Sequence, residues 1–197
     1  MSMSKPEERR LIKLAAAGDR DAAAAFIRCH QQSLFAYLLR MSGRPDVAED
    51  IVQEAFVRVL TNLDRFDPKY RFSTWLFTIA RRLYVNACQK HKPAYDSDMV
   101  GAWGGDWDAP SKATHDAETT TNARSAIDQA LAKLSPEQRE VIVLFHQLDW
   151  PIAIIAQHLG MPEGTVKSHL HRGRRKMRVV FESDQRLQAH VSEVWRG

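Results

Sequence analysis

At 197 residues, with 28 Lys and Arg against 24 Asp and Glu, the chain holds one sizeable or two small domains and carries a formal charge of +4. That charge permits a polyanionic partner without requiring one. No run approaches the roughly 20 apolar residues that span a bilayer, the N-terminus lacks a secretory apolar segment, and two cysteines are too few for a disulfide framework, so a cytoplasmic protein with reduced thiols is expected.

Helical periodicity runs through the chain and strand-like alternation is scarce, which predicts an all-α protein. A first helix is expected from Pro6 to Ala17, stopped at Gly18-Asp19, and a long second one from Asp21 to Met41, stopped at Ser42-Gly43. The third, capped by Asp46, runs to about Leu63, with Ile51, Ala55, Val59 and Leu63 repeating every four residues on its inner face. Asp46, Glu49, Asp50 and Glu54 make an acidic band on its outer side, which taken alone is an ordinary solvated face. After a loop at Asp64 to Arg71, a fourth helix starts near Ser73 or Thr74 and ends near Lys92-Pro93, completing a four-helix unit. Along it Tyr70, Arg71, Phe72, Trp75, Phe77, Arg81, Arg82, Tyr84, Lys90, His91 and Lys92 interleave rings with bases. Such a mix can stack unpaired nucleobases while neutralising phosphates, although Phe72, Trp75, Leu76 and Ile79 can equally fill a helical core.

Charge is partitioned along the chain. Residues 1–92 carry a net +6, residues 93–123 a net −5 and residues 124–197 a net +3. Residues 94–122, with three Gly, six acids and no sustained apolar period, are expected to be a flexible acidic linker. Structure resumes near Arg124, and Ser135-Pro136-Glu137-Gln138 has the pattern of a capping box with Pro at the first helical position. Val141, Leu144, Phe145 and Leu148 are the inner face expected of that helix.

The stretch from Trp150 to Met177 says most about function. Ile152, Ile155, Ala156 and Leu159 make one apolar stripe, Gly160 stops the helix, and Pro162 suits the first turn of the next. Val166 and Leu170 then face inward, leaving Glu163, Thr165, Lys167, Ser168, His169, His171 and Arg172 outside. From Lys167 to Arg178 six basic residues occur without an acid: Lys167, Arg172, Arg174, Arg175, Lys176 and Arg178. That is the pattern of a helix-turn-helix whose second helix enters the DNA major groove with phosphates as counter-charges. A solvated basic helix in an ordinary bundle is the plainer alternative. Beyond it Leu187, Val191, Val194 and Trp195 outline a short amphipathic tail helix, packed on its own domain or docked elsewhere. Cys29-His30 and Cys88-x-x-His91 are read as structural rather than metal-binding, so no metal and no cofactor are expected.

With these blocks in view, nearly the whole chain resembles the extracytoplasmic-function (ECF) group of sigma-70-type RNA polymerase sigma factors. The resemblance rests on DVAEDIVQEAFVRVL (Asp46 to Leu60), RFSTWLFTIARRLYVNACQKHK (Arg71 to Lys92) and the helix-turn-helix block from Leu134 to Arg178, in that order. It implies two small helical domains: 1–93 as sigma region 2, 94–122 as the linker, 123–182 as sigma region 4, and 183–197 as a tail. It further implies that Asp46, Glu49, Asp50, Gln53, Glu54 and Phe56 bind core polymerase. Asn62, Arg71, Phe72, Trp75, Arg81, Arg82 and Lys90 would take the melted minus-10 element, and Glu163, Thr165, Lys167, Ser168, His169, His171, Arg172, Arg174 and Arg175 the duplex minus-35 element. An anti-sigma factor is implied as a further partner, no membrane insertion is expected, and the chain is expected not to be an enzyme. Departures from the family pattern occur at Ala153 and Ile154, where acids are usual, at Arg82 for a common Asn, at His169 for a frequent Arg, and at Gly173 for a frequent Ala. Gly173 is a local weakness of up to about 1 kcal/mol that packing must offset. A stand-alone helix-turn-helix regulator would carry the third block alone, but would need a sensor or dimerisation domain. A helical enzyme would need a convergent set of His, Cys and carboxylates beyond Cys88-x-x-His91.

Overall fold

The computed structural model describes residues 5–90 and 126–183, all-α among those residues and divided into two compact units. The expected linker, the tail helix, and the sites around His91, Lys92 and Arg124 lie outside the described residues.

The first unit contains α1 (Lys5–Ala16), α2 (Arg20–Ser42), α3 (Pro45–Thr61), a 3-10 turn (Leu63–Arg65) and α4 (Phe72–Lys90). Its joints follow from local backbone chemistry. Gly18 takes φ 90°, and the Asp19 carboxylate accepts from the Asp21 and Ala22 amides at 2.9 and 3.0 Å, satisfying donors that the first turn of α2 leaves open. Gly43, at φ 69°, closes α2 by donating its N–H to the Leu39 carbonyl at 2.8 Å. Asp46 was expected to cap α3, but Arg44 occupies the cap and Pro45 the first turn, where its missing N–H costs nothing. Asp46 sits inside that turn, accepting from Arg44 Nε at 3.2 Å, where the helix dipole favours an anion. The helix ends at Thr61 rather than near Leu63, which lies buried in the 3-10 turn instead.

The core of this unit is one continuous cluster. Phe26, Leu34, Tyr37 and Leu38 of α2 meet Ala48, Ile51, Ala55 and Val59 of α3 and Phe72, Leu76, Phe77 and Ala80 of α4. Each large side chain in it contributes about 1.5–3 kcal/mol by leaving water. The Tyr84 hydroxyl donates to the Met41 carbonyl at 2.7 Å, tying the later part of α4 to the end of α2.

The second unit contains a helix over 126–132 (α5), α6 (Pro136–His146), α7 (Ile152–Leu159) and α8 (Glu163–Ser183). Ser135 and Gln138 form the expected capping box at the start of α6. Four successive residues of α6, Val141 to Leu144, are buried, so this helix is covered on more sides than a single stripe; Leu148 falls beyond its end. Gly160, at φ 66°, ends α7 as expected. Pro162, expected in the first turn of α8, stands one residue before it, its carbonyl accepting from the Thr165 and Val166 amides at 2.9 and 3.1 Å. The inner face of α8 is Val166, Leu170 and Gly173. At Gly173 a β-carbon would lie 2.9 Å from Ile142 Cγ1, so the absent side chain is what lets α8 approach α6 this closely.

Candidate nucleic-acid and partner surfaces

The outer face of α3 presents Asp46, Glu49, Asp50, Gln53 and Glu54 to solvent. Two of these acids are engaged by neighbours on the same chain. The Arg44 guanidinium holds the Asp46 carboxyl below its ordinary range, and Glu54 accepts from Arg58 Nε at 2.6 Å one turn away. Glu49 and Asp50 have no partner among the described residues, so their charge faces outward uncompensated. Phe56, expected at this surface, is only 6% exposed and packs inward with Ala55 and Val59. The apolar contact on this face is Val57, 57% exposed and seven residues after Asp50, hence on the same side of the helix. Val57 lies outside the Ile51, Ala55, Val59 repeat, but so do Val52, Phe56 and Leu60, so the repeat did not single it out.

The entrance to α4 is built on a ring cluster. Phe72 is fully buried, with ring centroids 4.6 Å from Phe26, 5.4 Å from His30, 5.7 Å from Phe66 and 5.9 Å from Trp75. It therefore anchors the loop from beneath and cannot meet a nucleobase without unpacking the unit. Trp75 is half-buried against Phe66 at 5.4 Å. Tyr70 is 54% exposed, with Lys69 and Arg71 exposed on either side of it, and Arg9 Nη2 of α1 donates to the Pro68 carbonyl of the same loop at 3.3 Å. A spacing of seven puts Trp75 and the exposed Arg82 on one stripe of α4, and the exposed Arg71 stands at its entrance, its carbonyl accepting from the Trp75 amide at 3.3 Å. Half-buried Arg81 lies off that stripe and already has an interaction partner, and Lys90 is the last residue of α4. The Asn62 side chain is spent on the end of α3, donating to the Arg58 carbonyl at 2.8 Å and to Thr61 Oγ1 at 3.1 Å. His30, behind the cluster, has a buried Nε2 with no protein partner, and burial pushes its pKa below the ordinary value.

On α8, Glu163, Thr165, Lys167, Ser168, His171, Arg172, Arg174 and Arg175 are exposed, while His169 is half-buried with its Nδ1 turned inward. Ser168 Oγ donates to the Gly164 carbonyl at 2.9 Å, leaving its oxygen free to accept. Lys167, Arg172, Arg175, Lys176 and Arg178 have no acidic partner among the described residues. Arg174 differs: its Nε–H donates to His146 Nε2 on α6 at 3.1 Å, and its Cζ lies 5.1 Å over the Phe145 ring. An accepting Nε2 requires a neutral imidazole there. His146 is itself exposed, and partial desolvation and the Arg174 charge push its pKa down, with Asp149 opposing them.

Among the described residues no three His, Cys, Asp or Glu side chains gather into a metal site, and no helix is long and apolar enough to cross a membrane. Cys29 is exposed and Cys88 half-buried.

A helical unit bearing an acidic and apolar face, followed in the chain by a helix-turn-helix unit with a basic helix, is the combination expected of a transcription protein that meets both a protein partner and DNA. Residues 26–93 match the family description "Sigma-70 region 2", and residues 124–177 match "Sigma-70, region 4". The chain is 36% identical over 173 residues to the ECF RNA polymerase sigma factor SigW of Bacillus subtilis, covering 85% of this chain and 92% of the relative. It is 34% identical over 166 residues to SigL of Mycobacterium tuberculosis, covering 82% and 92% respectively. Among solved structures, the sigma factor RpoE in complex with the anti-sigma factor NepR from Bartonella quintana superposes with a TM-score of 0.65 at 27% identity, covering 82% of this chain and 98% of that one. CnrH, solved with the cytosolic domain of CnrY, shares the fold at 23% identity and a TM-score of 0.66, covering 90% of this chain and 99% of that one. The chain belongs to the extracytoplasmic-function group of sigma-70 RNA polymerase sigma factors, the subunits that direct polymerase to promoters.

Proposed function

We propose that this sigma factor divides its tasks between the surfaces described above. Residues 1–93 form the unit that binds core polymerase and the minus-10 element, residues 123–182 the unit that binds the minus-35 element, and 94–122 the connection between them. The outer face of α3 docks on basic residues of core polymerase. Glu49 and Asp50 supply steering charge and Val57 supplies apolar area, while Asp46, Gln53 and Glu54 frame the contact. The start of α8, from Glu163 to Arg172, enters the minus-35 major groove, with Arg174 and Arg175 on flanking phosphates. At the minus-10 element Tyr70 and Trp75 offer ring surface to an extruded base, and Arg71, Arg82 and Lys90 neutralise its backbone. Extrusion costs a few kcal/mol, which those contacts offset. Arg81 supports this surface from its edge, and Phe72 and Asn62 hold it in shape from within. The chain makes and breaks no bonds itself; phosphodiester formation belongs to the polymerase, in the cytoplasm. The RpoE complex with NepR supports an anti-sigma partner for this chain as well.

The observation that carries this reading is α8: five cations that have no acidic partner among the described residues, on the outer side of a helix that follows the Gly160 turn. Run-off transcription from a promoter fragment library, with purified core polymerase and with or without this protein, tests it. Specific transcripts are expected with the native chain and their loss with Asp50→Arg. Duplex binding with no polymerase-dependent transcript would point to a stand-alone regulator and overturn the proposal.

A further inference from the structure

We propose that α6 acts as a brace for the DNA-binding helix, with His146 a positioning residue that holds Arg174 against Phe145 so that the guanidinium meets a DNA phosphate already oriented. This deepens the reading of α8 as the duplex-binding helix. Three observations join here. Arg174 stands among the basic residues of α8, yet it is the one shown hydrogen-bonded to another helix, through Nε–H to His146 Nε2 at 3.1 Å. Its charge lies over the Phe145 face at 5.1 Å, an arrangement that attracts a guanidinium without neutralising it. At Gly173, the residue immediately before it, the missing side chain lets α8 lie tightly against Ile142 of α6, so the bonded pair is seated beside a close approach of the two helices.

An imidazole suits this task because it accepts without adding negative charge. A carboxylate at residue 146 would pair with Arg174 and compete with the phosphate. A neutral His takes one of five N–H donors and leaves the four on the Nη nitrogens for an anion. The charged groups acting on the imidazole are Arg174 from α8 and Asp149 from the turn after α6. Partial desolvation of the exposed imidazole and the Arg174 charge outweigh Asp149 and favour the neutral form, which is the form the brace requires. Orienting the long side chain in advance removes an ordering cost from the binding step. That cost corresponds to roughly two- to tenfold in Kd for one such side chain.

The test uses the full chain, a duplex of random sequence at low salt, where phosphate contacts dominate affinity, and fluorescence anisotropy. His146→Ala should weaken binding by about two- to tenfold, and His146→Gln, which keeps an acceptor, should restore it. Arg174→Ala should weaken binding more and reduce the salt slope by about 1, and adding His146→Ala to it should change nothing further. In nitrogen-15 spectra the Arg174 Nε–H resonance should shift with the titration of His146 and lose that pH response in His146→Ala, an effect that merely structural damage would not produce. Unchanged affinity in His146→Ala, or losses that add in the double variant, would overturn the brace. Lys167→Ala and Arg172→Ala separate the two claims. If both weaken binding while His146→Ala does not, the brace alone fails. If neither weakens it, the assignment of α8 to DNA fails, and the brace with it.

Discussion

Replacing Gly173 by Ala tests whether the close approach of α6 and α8 is specified by that missing side chain. In an exposed helix interior the change should stabilise by about 0.5–1 kcal/mol, since Ala loses less backbone freedom on folding. At this position the added methyl would lie 2.9 Å from Ile142 Cγ1 and 3.3 Å from its Cδ1. Comfortable carbon contacts begin near ~3.5 Å, so a shift of roughly 0.6 Å is needed. Ile142 has little room to give it, being 4% exposed between buried Val141 and Val143. Overpacking of this kind costs about 1–3 kcal/mol, so the net outcome is a loss of about 0–2.5 kcal/mol. For a unit of this size that lowers Tm by about 4–8 °C per kcal/mol.

Gly164 supplies the control within the same helix. A β-carbon there meets nothing within 4 Å, so Gly164→Ala should raise thermal stability where Gly173→Ala lowers it or leaves it unchanged. Ile142→Ala should cost about 2–5 kcal/mol alone and less in the Gly173→Ala background, because the new methyl fills part of the cavity. Equal stabilisation by the two Gly→Ala changes would refute the argument. The same displacement would disturb Arg174, so Gly173→Ala should also weaken duplex binding.

Burial holds His30, and partial desolvation together with the Arg174 charge holds the exposed His146, below the ordinary histidine value of about 6.5, so the unfolded chain binds protons that the folded chain refuses. Their stabilisation is complete above about pH 6.5 and declines as pH falls toward the depressed folded values. Denaturant titrations at pH 7.5 and 5.5 should show the loss, and His30→Phe, which keeps a ring among Phe26 and Phe72, should reduce it in the first unit. Val57→Asp should leave the thermal transition nearly unchanged and lower core-polymerase affinity in a pull-down, whereas Phe56→Ala should cost about 3–5 kcal/mol in folding. The reverse pattern would restore Phe56 to the polymerase surface. Changing Asp96, Asp98, Asp106 and Asp108 together to Asn should alter the ratio of abortive to full-length transcripts if this acidic segment occupies a nucleic-acid channel, and an unchanged ratio would leave it a tether.

The features legible from sequence are those settled within a few residues of backbone. Gly18, Gly43 and Gly160 all take positive φ where helices were expected to stop, and Ser135 with Gln138 closes the expected capping box. The chemistry there is a local matter of a missing β-carbon or a side-chain oxygen within reach of an orphan amide. The same locality explains two near misses: Asp46 and Pro162 lie beside helix starts as expected, but a neighbouring residue takes the boundary position. Periodicity likewise located the core of α3, because Ile51, Ala55 and Val59 need only the helical repeat to share a face.

What periodicity left open is how wide each buried face becomes, and that depends on how many neighbours a helix touches. Two partners, α2 and α4, pack against α3, so its buried face widens to include Phe56 and leaves Val57 as the apolar residue on the acidic side. Phe72 followed the same logic: rings from α2, the loop and α4 converge on it, and a residue that reads as part of an aromatic and basic stripe becomes the anchor beneath that stripe. On α8 the charge run showed which residues are cations but not which is held. Holding Arg174 takes a residue 28 positions away, and no local pattern marks His146 as its acceptor. The charge on this helix is therefore written in the sequence, while the orientation of Arg174 is written in the packing of α6 against α8 at Gly173. For that reason a change at Gly173 or His146, neither of which adds or removes formal charge at neutral pH, should alter DNA affinity.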